Sequence, residues 1–216
     1  NKGWNSNSAF VVTGQGVLLV DTGSSTRIGQ ALKATIASVT DQPVRWIVNT
    51  HAHGDHWLGN AAFADSVEKI IASSRVDSII RTDGSNWVAR FKRMTEGATG
   101  DSQPLPPNTR IDDKQTLQLG EAEVVISPSG GSHSPGDLIV WLPGKQVLIG
   151  GDVVYSDRMP STQYADLRRW IVQLEALQSL QPAVVVPGHG VVTDRQGLVR
   201  LHELLSAFWA AVSAII

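Results

Sequence analysis

Residues 50–60 read THAHGDHWLGN, and His51, His53, Asp55 and His56 crowd three imidazoles and a carboxylate into six positions. Charging imidazoles so close together is costly unless a cation or a carboxylate intervenes. A metal ion is the economical reading. In an extended chain, residues two apart point the same way, so His51 and His53 can hold one ion together. Asp55 and His56, where the chain turns into a helix, point elsewhere and can hold a second. Further donors stand in the second half: His133 in GGSHSPGD, Asp152 in IGGDVVYS and His189 in VVPGHG. Taken alone, His133 reads as a hydrogen-bonded surface residue. His202, inside the final helical segment, reads as a packing or surface residue. The chain has no cysteine, so ligation falls to nitrogen and oxygen, which suits zinc and leaves manganese or iron open.

These donors need a scaffold. Residues 8–21 read as two strands joined at Gly-Gln-Gly, followed by a helix to about Val39 capped by Ser24 or Ser25. VRWIVN (44–49) reads as a buried strand that delivers the histidine cluster at its end, and EKIIAS (68–73) as another. Residues 75–95 carry helical spacing at Val76, Ile79, Ile80, Trp87 and Phe91. The Gly- and Pro-rich stretch 97–108 reads as a loop with the composition of a lid. In the second half TLQL, EVVIS, DLIVWL, QVLIG and AVVV read as strands, and 166–180 and 195–214 as helices. In the last helix Leu198, Leu201, Leu205, Phe208, Trp209 and Val212 share a face, and AFWAAVSAII is expected to be its buried end. Trp57, Trp87 and Phe91 are candidate pocket walls, although aromatics at helical spacing more often belong to a core.

Across its 216 residues the chain carries 18 Lys and Arg against 20 Asp and Glu, with no basic run, so no nucleic-acid partner is expected. Its longest apolar stretch is too short to span a bilayer, so no membrane partner is expected either. The chain opens on Asn1, and the expectation is that residues preceded it, a secretory leader among the options. Location is open between periplasm and cytoplasm, and so is oligomeric state.

HAHGDH resembles the HxHxDH signature of the metallo-β-lactamase superfamily. Further marks of that family follow its order: Asp21-Thr22-Gly23, His133-Ser134-Pro135-Gly136, Gly151-Asp152 and Pro187-Gly188-His189. The resemblance covers nearly the whole chain. It implies one domain over 1–216, an α/β four-layer αββα sandwich with halves of about 1–110 and 111–216. The metal site would lie at one edge of the sheets. It also implies two zinc ions, one on His51, His53 and His133, the other on Asp55, His56 and His189, with Asp152 bridging. Asp21 resembles the family's buried aspartate beneath the site.

The implied chemistry is hydrolysis by a hydroxide shared between the metals, which Asp55 orients. Tyr155 stands where the family's quorum-quenching lactonases hold the substrate carbonyl with a tyrosine; its other reading is a half-buried aromatic in a strand-end loop. Absence of cysteine sets aside the cysteine-ligating β-lactamases, and Asp152 points away from the three-histidine ones. An ester, lactone, thioester or lactam in a small molecule is the expected substrate. A β-lactamase-like amide hydrolase and an iron-dependent sulfur oxidoreductase are the alternatives.

Overall fold

The computed structural model describes residues 5–100 and 102–214. Strand β1 (Ala9–Thr13) turns back into β2 (Gly16–Val20), and helix α1 (Thr26–Ala37) follows, its Ser25 hydroxyl accepting from the amide of Ile28. Then come β3 (Val44–Val48), a single turn α2 (Gly54–Trp57), β4 (Lys69–Ala72), the long helix α3 (Ser74–Met94) and a two-residue β5 (Thr109–Arg110). The second set is β6 (Gln115–Leu119), β7 (Ala122–Pro128), β8 (Leu138–Leu142) and β9 (Val147–Tyr155). It closes with α4 (Leu167–Ser179), β10 (Val184–His189) and α5 (Arg195–Ser213).

The strands form two five-stranded sheets, ordered β1-β2-β3-β4-β5 and β10-β9-β8-β7-β6. β2 through β5 run parallel, and β10 runs parallel to β9. Parallel strands are covered on both faces and so read as mostly apolar runs, as GVLLV does throughout and VRWIV does apart from Arg45, which pairs with Glu68 at the surface. The two-residue side-chain period sorts those runs. Leu18, Val20, Trp46 and Val48 face Val124, Ile126, Leu138 and Val140 of the other sheet. Val17, Leu19 and Ile47 turn outward onto Ile36 and Phe63. On the far side Leu148 and Val185 meet Trp170 and Leu174 of α4 and Leu198, Leu201 and Leu205 of α5. Helices, sheet, sheet, helices: the αββα layering is in place.

Three expectations change. β9 does not stop at QVLIG but continues through Gly150-Gly151 to Tyr155, because Gly151 adopts φ +50° and bends the strand without ending it. The tail of α5 is not buried; core contacts end at Leu205, Phe208 is 43 % exposed, and Trp209 is covered by the guanidinium of Arg168 at 4.7 Å. Its last turns have no sheet beneath them to pack on. The stretch 97–108 packs at the back of the molecule, where Ser102 Oγ accepts from Thr26 N and Leu105 O accepts from Asn60 Nδ2. Among the described residues, no helix is long and apolar enough to cross a membrane.

Asp21 follows β2, His51 follows β3, and His189 ends β10, so the parallel strands deliver chemistry at their carboxyl ends, where open α/β sheets bind ligands. The Asp-Thr-Gly turn sits directly on α2: Thr22 N donates to His56 O at 2.8 Å and Gly59 N to Gly23 O at 3.1 Å. A side chain at Gly59 would place its Cβ 2.0 Å from the carbonyl oxygen of Thr22. Gly59→Ala is therefore expected to cost about 1–3 kcal/mol in urea unfolding. Gly144→Ala, where a Cβ meets nothing within 4 Å, serves as the near-neutral control.

Candidate metal centre

Seven donor side chains from both halves converge in two sets, His51, His53, His133 and Asp152 in one and Asp55, His56 and His189 in the other. Within each set the donor atoms lie within 4.8 Å of one another. His51 Nε2 and His133 Nε2 stand 3.0 and 3.1 Å from His53 Nδ1. Asp152 lies between the sets: Oδ1 is 3.1 Å from His56 Nε2, and Oδ2 is 3.4 Å from both His133 Nε2 and His189 Nε2.

The outward nitrogens are spoken for. His56 Nδ1 donates to Asp21 Oδ2 at 2.7 Å, His189 Nδ1 to Asn5 O at 2.8 Å and His133 Nδ1 to Ser161 O at 3.2 Å. His51 Nδ1 meets Thr50 Oγ1 at 3.1 Å, and that hydroxyl donates its own proton to Asp21 Oδ2 at 2.7 Å. These bonds hold the four rings with Nε2 facing the centre, the usual way of orienting a metal-binding histidine, whereas His53 turns its Nδ1 inward. Asp21 also accepts from Thr50 N at 2.8 Å, and it holds a left-handed φ of +59°. A non-glycine residue pays for that conformation; here it aims a buried carboxylate under two histidines.

The same end of the molecule stitches the sheets together. Leu138 N donates to Thr50 O at 2.8 Å, and Asn7 reaches across to Pro187 O and Gly190 O, 2.9 Å each. Ser6 Oγ donates to Asp55 O. The bend at Gly151 turns Asp152 inward, and a Cβ on Gly188 would lie 2.0 Å from Asp152 Oδ1. Asp137 holds the His133 loop by accepting from the amides of His133 and Ser134, 2.8 Å each.

Electrostatics divides the histidines. Burial pushes His51 well below the ordinary histidine range, with His56 adding to it, and takes His53 down to about 4, helped by His133. Burial also opposes charge on His56, but Asp152, Asp21 and Asp55 outweigh it and hold the ring well above its usual value. For His189, hydrogen bonds to Asp152 and Asp55 overcome burial and lift it to about 9. Burial likewise disfavours charge on Asp152, yet His56 and His51 hold it well below the carboxylate range. Protons on His56 and His189 thus counter the two carboxylates when no cation does. Tyr155 is buried at the end of β9, not half-buried in a loop. Burial and the Asp152 charge push its phenol far above the usual range, so it stays a hydroxyl and donates to Asp152 Oδ2 at 2.6 Å.

The residues fit a metal. Burial keeps His51 and His53 neutral, and the ring nitrogens of His51, His53 and His133 converge on one another. His56 Nε2 and Asp152 Oδ1 are buried without a hydrogen-bond partner. Unsatisfied buried groups are expensive, and a cation would satisfy all of them.

Above this floor lies a cleft of about 150 Å³, walled by Trp87, Arg90 and Phe91 of α3 and by Ser161, Gln163 and Tyr164. Trp57 is not part of it; fully buried, it packs with Leu58, Val76 and Ile80. None of the described residues of 97–108 lines the cleft. His202 lies apart, its Nε2 3.1 Å from Glu175 on the surface. Motif reasoning did not find Asn5, Ser6, Asn7, Asp137, Ser161 or Arg90, which act through contacts 28 to 184 residues apart or, for Asp137 and Arg90, carry no recognisable spacing.

Residues 1–189 match a family model described as the metallo-beta-lactamase superfamily. The linear primary-alkylsulfatase of Pseudomonas sp. (strain ATCC 19151) is 27 % identical over 213 residues, covering 82 % of this chain and 40 % of that protein. The chain thus spans well under half of that relative. The metallo-beta-lactamase type 2 of Bacillus sp. (strain 170) is 25 % identical over 205 residues, covering 93 % of this chain and 72 % of that one. Among solved structures, a metallo-beta-lactamase from Pontibacter korlensis superposes with a TM-score of 0.75 at 26 % identity, covering 93 % and 87 % of the two chains.

Two outcomes follow from the ionisation pattern and the anchors. Zinc uptake must displace the protons on His56 and His189, so at pH 7 about two protons should be released. Apparent affinity should climb with pH until about 9, where His189 loses its proton unaided. Calorimetry in buffers of different ionisation enthalpy reads both, and heats independent of buffer would contradict them. Asp21→Ala frees two histidines, and metal affinity measured against a competing chelator is expected to fall about 10- to 100-fold.

Proposed function

The chain belongs to the metallo-β-lactamase superfamily, and from that premise we propose a dinuclear zinc-dependent hydrolase that cleaves an ester, lactone, thioester or lactam bond in a small molecule. In this reading His51, His53 and His133 hold one zinc, Asp55, His56 and His189 the other, and Asp152 reaches both. One observation carries it: a single buried carboxylate lies 3.1 to 3.4 Å from histidine nitrogens of both sets, its Oδ2 equally far from His133 of one and His189 of the other. Bound zinc would supply a Lewis acid and a water acidic enough to attack at neutral pH.

The protein's own groups do the rest. Asp55, its carboxylate 3.2 Å from His189 Nε2, is placed at the cleft floor to orient the attacking water. Tyr155 keeps its proton and lines the same cleft, so its hydroxyl can pass from Asp152 to a substrate carbonyl oxygen as charge develops there. The α3 wall and residues 161–164 exclude bulk water from one side. A cleft of about 150 Å³ suits a small molecule rather than a polymer. The named relatives include an alkylsulfatase and a metallo-beta-lactamase, which supports hydrolysis in general and leaves the bond open.

The test joins metal analysis to a substrate panel of lactones, thioesters, phosphodiesters and β-lactams. About two zinc ions per chain and turnover of at least one ester-like or lactam substrate are expected. His53→Ala should abolish that turnover, and Tyr155→Phe should lower kcat about a hundredfold. Bound iron with oxygen uptake, and no hydrolysis, would overturn the reading.

A further inference from the structure

The cleft does not end at the metal centre. Trp87, Arg90 and Tyr164 also line a second hollow of about 350 Å³, continued outward by Asp83, Asn86 and Arg93, so the two form one groove along α3. Arg90 stands at the junction. Its guanidinium lies 5.0 Å from the centre of the Trp87 ring, and that ring lies 5.5 Å from His53.

Most cations near this face are paired. Arg81 and Arg110 clamp the buried Asp77 at 2.7 and 2.6 Å, which ties α3 to β5. Arg169 meets Asp166 at 3.3 Å. Arg90 is different: half-buried in the groove, among the described residues its guanidinium makes no ion pair or hydrogen bond, only the cation–π contact with Trp87. Arg93, a turn further on, likewise faces no carboxylate among the described residues. The groove's one acidic side chain outside the floor, Asp83, already accepts from Asn86 at 2.6 Å. A guanidinium held over an indole ring leaves its N–H donors free, and their planar fork matches an oxyanion bidentately.

We propose that Arg90 is a specificity-determining residue that binds an anionic group of the substrate, a carboxylate or a sulfate, several bonds away from the bond that is cleaved. The substrate class is thereby narrowed to anionic small molecules whose apolar middle lies against Trp87 and Tyr164, the latter 48 % exposed in the groove. Arg93 extends the positive rim. Asp55 and Asp152 on the floor disfavour the reverse orientation in the metal-free protein.

This inference rests on the hydrolase reading, so its test has a part that does not. The first arm compares kcat/KM for aryl esters bearing a distal carboxylate, a distal sulfate or a neutral carboxamide, using zinc-loaded wild type, Arg90→Gln and Arg90→Lys. The ratio of anionic to neutral turnover is expected to fall about 10- to 100-fold in Arg90→Gln and to recover in part in Arg90→Lys. An unchanged ratio overturns the proposal, even if all rates drop. Whether the carboxylate or the sulfate series shows the larger ratio identifies the anion.

The second arm is equilibrium binding of phenylpropionate, phenyl sulfate and phenylpropionamide to the same zinc-loaded proteins, followed by Trp87 fluorescence with Trp87→Phe as the blank. Anion binding that weakens in Arg90→Gln, at an unchanged melting temperature, supports the site even if no ester is turned over. Anion affinity that Arg90→Gln leaves intact places the anion elsewhere and overturns it.

Discussion

Asp152 is a carboxylate taken out of water in the middle of the molecule, 4 % exposed and ringed by imidazoles. Burying one unpaired charge costs several kcal/mol, and the rest of the architecture answers that cost. His56 and His189 supply compensating charge in the metal-free protein, and the same nitrogens become donors when a cation replaces their protons. Four of the five rings are aimed by a bond on the far side, and those bonds come from four separate places: the turn after β2, the end of β3, the loop after β9 and the N-terminal segment. None of the anchors works alone. Shift one sheet against the other, and the carboxylate loses partners that came from both.

The local conformations that break ordinary rules cluster around that same point. Asp21 and Gly151 take left-handed backbone angles, and Gly188 leaves room where any side chain would strike Asp152. Such departures are tolerated where surrounding contacts over-determine them. Here the determining contacts are Thr50 to Asp21, Gly151 packed on Thr50, and Leu138 bonded to Thr50 O. Thr50 therefore serves as the hinge pin between sheets as well as the residue before the first histidine.

Much of this was legible before any coordinates. GVLLV, and VRWIV apart from Arg45, are apolar because both their faces are covered, and the HAHGDH spacing is local, so its donors had to lie near one another. The order of the remaining motif marks implied the layering that is found. Other features were out of reach for physical reasons. Gly150-Gly151 reads as a turn, but only Gly151 takes the unusual angle, so β9 bends and continues to Tyr155. The apolar tail of α5 has the spacing of a buried face with no sheet beneath it. Trp57 and Trp87 have equal claims as helical aromatics; one fills the core behind α2 and the other walls the cleft, and only tertiary placement separates them. Asn5, Ser6 and Asn7 carry no motif, since their work is done by hydrogen bonds to residues 49 to 184 positions away.

Floor and wall divide the labour. The floor is built from strand ends and the turns bound to them, where small displacements disturb many bonds at once. The wall is built from one helix face and the irregular segment between β9 and α4, where Trp87 and Tyr164 touch the floor through ring contacts with His53 and Arg90 lies over Trp87. A substitution on the wall changes what fits without unsettling the donors, with one exception: Ser161 O accepts from His133 Nδ1, so the wall segment also holds a ring of the floor. Chemistry and selectivity are therefore nearly separable in this molecule. Beyond the ring contacts with His53, the link among the described residues passes through one backbone carbonyl, whose position depends on the path of residues 156–166 and hardly at all on which side chains that path carries.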